Sequence, residues 1–222
     1  MQVDSIYKWA ETSNLEQSFS LERFQRYIEW AGGNKEKAFA LYALNTTISE
    51  SFYTPLHILE VALRNSLHNA MTQNFGEIWY ENDAIIYGNL KLKLQKAKAD
   101  LTAEAREHTS GRIISVLTLG FWTGLMSPEY ENLWRSTLYT AFTKEDGTGF
   151  ARKEITRQLT PIRVLRNRIA HHEPIIYWNL HKHYNSILAL TRCISKDAAT
   201  WSEHHSRFVS IMPPDGIELI TH

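Results

Sequence analysis

Leu56-His57-Ile58-Leu59-Glu60-Val61-Ala62-Leu63-Arg64-Asn65-Ser66-Leu67 decides the fold class. Leu56, Leu59, Leu63 and Leu67 recur at steps of three and four, which lines one face of an α-helix. A half-buried strand would alternate apolar and polar residues at every second position, and this stretch does not. Gly76 marks its end.

The same period extends in both directions. Upstream, Ser20 is placed to cap a helix from Leu21 to about Ala31, with Phe24, Tyr27, Ile28 and Ala31 on one face and Gly32-Gly33 as the stop. Asn34 opens a second helix carrying Ala38, Leu41, Leu44 and Ile48, interrupted near Pro55. Downstream, Trp79 to Asp83 reads as a loop and Lys91 to Glu107 as a charged helix. The apolar run from Ile113 to Met126 is long enough for one buried helix. Ser127-Pro128 then caps a helix from Glu129 to Phe142. Phe150 to about Ala170 is helical, with Pro161 expected to kink or break it. Pro174 to Lys196 and Ala198 to Phe208 complete the pattern, and residues 209–222 read as an irregular tail. No strand–helix alternation, repeat or linker appears. A single all-α domain over residues 1–222 is the economical prediction.

Composition agrees. The 222 residues are 43% hydrophobic with seven tryptophans, enough for a packed core. No apolar run reaches the length of a membrane span. A single cysteine, Cys193, permits no internal disulfide and fits a reducing compartment. The first residues lack the basic start and apolar run of a secretory signal, so the expectation is a cytoplasmic protein.

Arg166-Asn167-Arg168-Ile169-Ala170-His171-His172 carries the chemistry. An arginine presents a planar fork of donors to a phosphate, and an imidazole exchanges a proton near neutral pH. Net charge is zero, with 24 basic and 24 acidic residues, which disfavours a general nucleic-acid binder. The distribution is uneven. Arg152, Lys153, Arg157, Arg163, Arg166 and Arg168 face one acid, Glu154, so residues 152–168 carry +5. Arg157, Arg163 and Arg168 are therefore the candidate contacts to an RNA backbone.

Pro174 pushes Glu173 off helical angles, so the helix should end near His171 or His172. On an unbroken helix Arg166 and His171 point about 140° apart. They serve one small ligand only if a turn brings the histidines inward, or if two copies of the chain pool their motifs. Tyr177 and Trp178, close behind, are the candidate base-stacking rings. Glu60, Arg64 and His68, spaced by four, form a polar stripe on an otherwise apolar helix. The choice there lies between an intrahelical ion pair and support for the site by Glu60 and Arg64. His181, His183, His204 and His205 lack the partners of a metal centre, and neither metal nor cofactor is expected.

These residues resemble a known family. Arg-Asn, three residues, then His at a turn between late helices is similar to the signature of the HEPN superfamily. The string from Arg166 to Ile175 resembles its bacterial abortive-infection, or Abi-like, members. Phe52 to Asn65, with Glu60 and Arg64, and Gly120-Phe121-Trp122 followed by Leu125, Tyr130 and Trp134 are similar in the same way. The resemblance spans about residues 40–190. It implies a helical bundle with additional N- and C-terminal helices, and metal-independent RNA cleavage in phage defence or as a growth-inhibiting toxin. It assigns the motif positions to Arg166 and His171, with Asn167 between them. His172 also satisfies the spacing, so the acting imidazole stays open. A homodimer is implied, with an antitoxin as a further partner. The rival reading is a non-catalytic module for RNA, nucleotide or protein; a metal-dependent hydrolase ranks third.

Overall fold

The structure, a computed structural model, describes residues 21–144, 146–213 and 216–220, and its regular elements are all helical. The fold is all-α. Ser20, the expected first cap, lies outside the described residues. The chain forms two compact units, one including residues 21–53, 165–181 and the described residues from 206 on, the other 54–164 and 182–205. No helix among the described residues is long and apolar enough to cross a membrane.

In the first unit, α1 (Leu21–Trp30) and α2 (Lys35–Ser51) join through a tight glycine turn. Gly33 donates its N–H to Ile28 O and Gly32 donates to Glu29 O, both glycines at positive φ, which satisfies the last carbonyls of α1. Asn34 then caps α2, its Oδ1 accepting the Lys37 N–H at 2.9 Å. The two helices lock through aromatic rings: Phe24 lies 4.4 Å from Phe39, and Tyr27 lies 5.2 Å from Tyr42. Ile28 and Leu44 are only half-buried, while Trp30 and Asn45 are buried instead. The tail is not wholly irregular. Within it α11 (Phe208–Ile211) stacks Phe208 on Phe52 at 4.9 Å, and the Ile220 N–H reaches Trp30 O.

The second unit is built on α3 (Tyr53–Phe75), which takes Pro55 into its first turn, where its missing N–H costs nothing. Leu59, Leu63 and Leu67 are fully buried, each contributing roughly 1.5–3 kcal/mol relative to exposure. The same unit contains α4 (Gly88–Ala103), α5 (Ser110–Val116), α6 (Leu119–Gly124) and α7 (Glu131–Ser136).

The expected single helix over 113–126 is two. Leu117 and Thr118 are extended between α5 and α6, and the Trp122 indole N–H takes up the Leu117 carbonyl at 3.2 Å. The expected helix over 129–142 is likewise divided at Thr137, with short 3-10 turns over Pro128–Tyr130 and Leu138–Ala141. Another 3-10 turn, Trp79–Glu81, replaces part of the expected loop.

Helix α8 (Arg152–Ala170) runs through Pro161 without a break. Pro161 is exposed, as is Arg157 four residues back, so water can serve the carbonyl that loses its helical partner. Helix α9 (Leu180–Ile194) starts six residues after Pro174, and α10 (Lys196–His205) follows.

Candidate functional site

The end of α8 is a hydrogen-bonded stop. The His171 N–H still donates to Asn167 O at 2.9 Å, the helical pattern. His172 then takes φ +56°, its N–H donates to Ile169 O at 3.1 Å, and the Glu173 N–H reaches back to Arg168 O at 2.8 Å. This pair of bonds is the cap that helices usually make with glycine at the left-handed position. A histidine occupies it here, so the reversal starts at His172, and Arg166 and His171 are not separated by one.

This fixes which motif residues are neighbours. Asn167 and His171 are four apart on one helical face, and both are exposed. Arg166, half-buried, leaves α8 about 140° away from His171 around the axis. His172 is exposed, directed by the reversed backbone rather than by the helix.

Arg168 braces the turn. Its Nε donates to Glu173 Oε2 at 2.9 Å, and its Nη1 to the Tyr177 hydroxyl. Its guanidinium lies 5.5 Å from the Tyr177 ring centre and 5.1 Å from that of Trp178. Arg26 of α1 packs 5.1 Å from the same Tyr177 ring and 5.2 Å from Trp30. Tyr177 is thus engaged by two guanidiniums and by Trp30, at 5.4 Å, while the residue stays exposed. Beneath it the buried Asn45 accepts the Ile175 N–H at 2.7 Å, fixing the segment after the turn to α2.

Sequence reasoning missed Asn45, Arg26, Trp30 and Glu173. Asn45 had a signal, since a lone amide in the stripe Leu41, Asn45, Ile48 asks for a buried partner. Glu173 had one as well, five residues after Arg168 and across a helix end.

The second unit holds the other predicted groups. Glu60 and Arg64, both half-buried, line a cleft of about 150 Å³ with His57, Ser115 and Trp122. Arg64 Nε donates to Asn65 Oδ1 at 3.1 Å. His68, next on the stripe, has a different occupation: its Nδ1 accepts the Trp79 indole N–H at 3.0 Å. Burial lowers its pKa, with Arg64 adding to the effect and Glu77 opposing it. Arg157 and Arg163 are exposed on α8. Arg152 is buried, its Nε on Glu131 Oε2 at 2.6 Å and its Nη1 on Met126 O at 2.7 Å, so this member of the basic run is neutralised internally.

The model of the Abi-like protein family matches residues 11–179. This chain belongs to the Abi-like family. The matched region takes in the motif at 166–172, the helix with Glu60 and Arg64, and the aromatic segment at 120–134. It starts nearer the N-terminus than the resemblance about residues 40–190, and so includes α1 and α2 with Arg26, Trp30 and Asn45. No curated protein and no solved structure shows significant similarity to the chain.

Proposed function

We propose that this Abi-like chain is a metal-independent endoribonuclease of the HEPN superfamily, acting in abortive infection or as a toxin in the cytoplasm. The observation that carries the proposal is the end of α8, where Asn167 and His171 share an exposed last turn beside Arg166. In this reading the His171 imidazole removes the proton of an RNA 2′-hydroxyl. The 2′-oxygen attacks phosphorus and the bond to the 5′-oxygen breaks. The imidazole then passes the proton it has taken up to that leaving oxygen. Acid–base assistance of this kind is worth roughly 10²–10⁴-fold.

Arg166 neutralises charge accumulating on the phosphoryl oxygens, and Asn167 orients the group. Arg157 holds the strand through a phosphate. Arg168, with Glu173 and Tyr177, acts as a positioning residue that sets the turn. Glu60 and Arg64 support the reaction without taking a chemical step. Because Arg166 and His171 diverge on one helix, a homodimer in which each cleft combines an arginine from one chain with an imidazole from the other fits the geometry.

Total RNA incubated with the protein and EDTA should be cut into fragments ending in 2′,3′-cyclic phosphate and 5′-hydroxyl, and DNA should be spared. Arg166→Ala and His171→Ala should each abolish cutting while leaving the fold intact, read as an unchanged helical circular-dichroism spectrum. Cutting by both variants at the wild-type rate would overturn the mechanism. The zero net charge favours a second reading, a non-catalytic binding module. RNA retained but never cut would select it.

A further inference from the structure

A second polar cleft, of about 290 Å³, lies wholly within the second unit, between α4, α6 and residues 156–163 of α8. Two cations line it, Lys93 and Arg163, together with Asn89, Thr123, Thr156 and Thr160; no carboxylate among the described residues does so. Lys93 Nζ spends one donor on the Gly120 carbonyl at 2.7 Å. Arg163 makes no hydrogen bond or ion pair among the described residues. The hydroxyls of Thr156 and Thr160 already donate to backbone carbonyls. The Thr123 hydroxyl oxygen is different: it is buried and has no partner among the described residues.

Such an arrangement is electrostatically costly. Burial first, and the Arg163 charge second, hold the Lys93 amine below its ordinary range. An unmatched buried hydroxyl adds its own desolvation penalty. One class of ligand removes both costs: a compact anion bearing two negative charges, which offsets the two cations and offers several acceptor oxygens. Charge-assisted hydrogen bonds to phosphoryl oxygens are the strong ones, and the fork of Arg163 suits them.

We propose that this cleft is a binding site for a phosphomonoester dianion, with Lys93 and Arg163 as its charge partners and Thr123 as its hydroxyl donor. A phosphodiester carries a single charge and leaves one cation unmatched, so the site discriminates a terminal phosphate from an internal one. The volume admits the phosphate and part of an attached nucleoside, at the small end of ligand pockets. The bearer is either a free mononucleotide or the phosphorylated end of a strand. The site requires no RNA cleavage.

The test is a titration followed by ³¹P NMR and calorimetry at fixed ionic strength, using inorganic phosphate, 5′-AMP, and a short oligodeoxynucleotide with and without a 5′-phosphate. DNA has no 2′-hydroxyl, so the result stands apart from the nuclease reading. Phosphate and 5′-AMP should bind saturably to the wild type. Arg163→Gln, at an exposed position, should weaken both about tenfold, the loss of one charge-assisted contact. Thr123→Val should weaken binding severalfold while leaving the melting temperature unchanged or higher. That opposite movement is not produced by a merely structural threonine. Tighter binding of the 5′-phosphorylated oligonucleotide than of 5′-AMP identifies a strand end; equal or weaker binding identifies a free nucleotide. The proposal fails if phosphate and 5′-AMP do not bind at millimolar concentration, if Arg163→Gln binds as the wild type does, or if the 5′-hydroxyl oligonucleotide binds as tightly as 5′-AMP.

Discussion

His172 holds a backbone conformation that L-residues adopt reluctantly, and it does so at the one place where the motif chain reverses. Glycine adopts it without a Cβ penalty. His172→Gly should therefore leave stability unchanged or raise it by up to about 1 kcal/mol, read as the melting temperature. With His171 as the acid–base group, RNA cutting should persist in that variant; its loss would transfer the role to His172.

A second histidine answers to pH. The Trp79 indole donates to His68 Nδ1, so the folded state holds this ring neutral, its pKa below the ordinary 6.5 mainly through burial. With a depressed folded pKa, the contribution is fully present above 6.5 and declines as pH falls through the folded value. Urea midpoints at pH 7.5 and 5.5 should therefore diverge more for the wild type than for His68→Gln. Equal divergence would remove His68 from the account.

At the scale of elements, Arg152 fastens α8 to α7 and to the segment before it, through Glu131 and the Met126 carbonyl. Arg152→Ala should lower stability by about 2 kcal/mol, by removing two charge-assisted hydrogen bonds made by a buried guanidinium. The Arg152 bond holds the Glu131 carboxyl below its ordinary 4.5, so that part of the stabilisation exists above 4.5 and disappears as pH falls further. Denaturation curves at pH 7 and pH 3 should show the gap between wild type and variant narrowing.

The helices themselves were legible where caps and periodicity agreed, as at Gly32-Gly33, Asn34 and Gly76. The breaks at Thr118 and Thr137 were not, because no glycine or proline marks them. At Thr118 a side chain five residues from Leu117 stabilises the break instead; the Trp122 indole supplies the bond that the Leu117 carbonyl would otherwise lack. Pro161 misled in the other direction, since its local cost is small where the freed carbonyl meets solvent. For the site, residue types and spacing located the turn. The brace of Arg26, Trp30, Arg168 and Tyr177 joins residues far apart in sequence, and no local pattern announces it.

For the molecule as a whole, the divergence of Arg166 and His171 gives the proposed homodimer a direct test. Inactive Arg166→Ala and inactive His171→Ala chains, unfolded together and refolded at equal concentration, should recover about a quarter of wild-type cutting. Half of randomly assembled pairs are mixed, and each mixed pair restores one cleft of two. Recovery of nothing would mean that each chain uses its own arginine and histidine.

The first unit is gathered from three distant stretches: Phe52 stacks on Phe208, and Trp30 receives the Ile220 amide. During translation, then, a ribosome finishes the motif turn well before it delivers the segment that closes the surrounding core. Until Phe208 has emerged the unit lacks part of its core, and pausing upstream of that residue leaves the turn without its full surroundings.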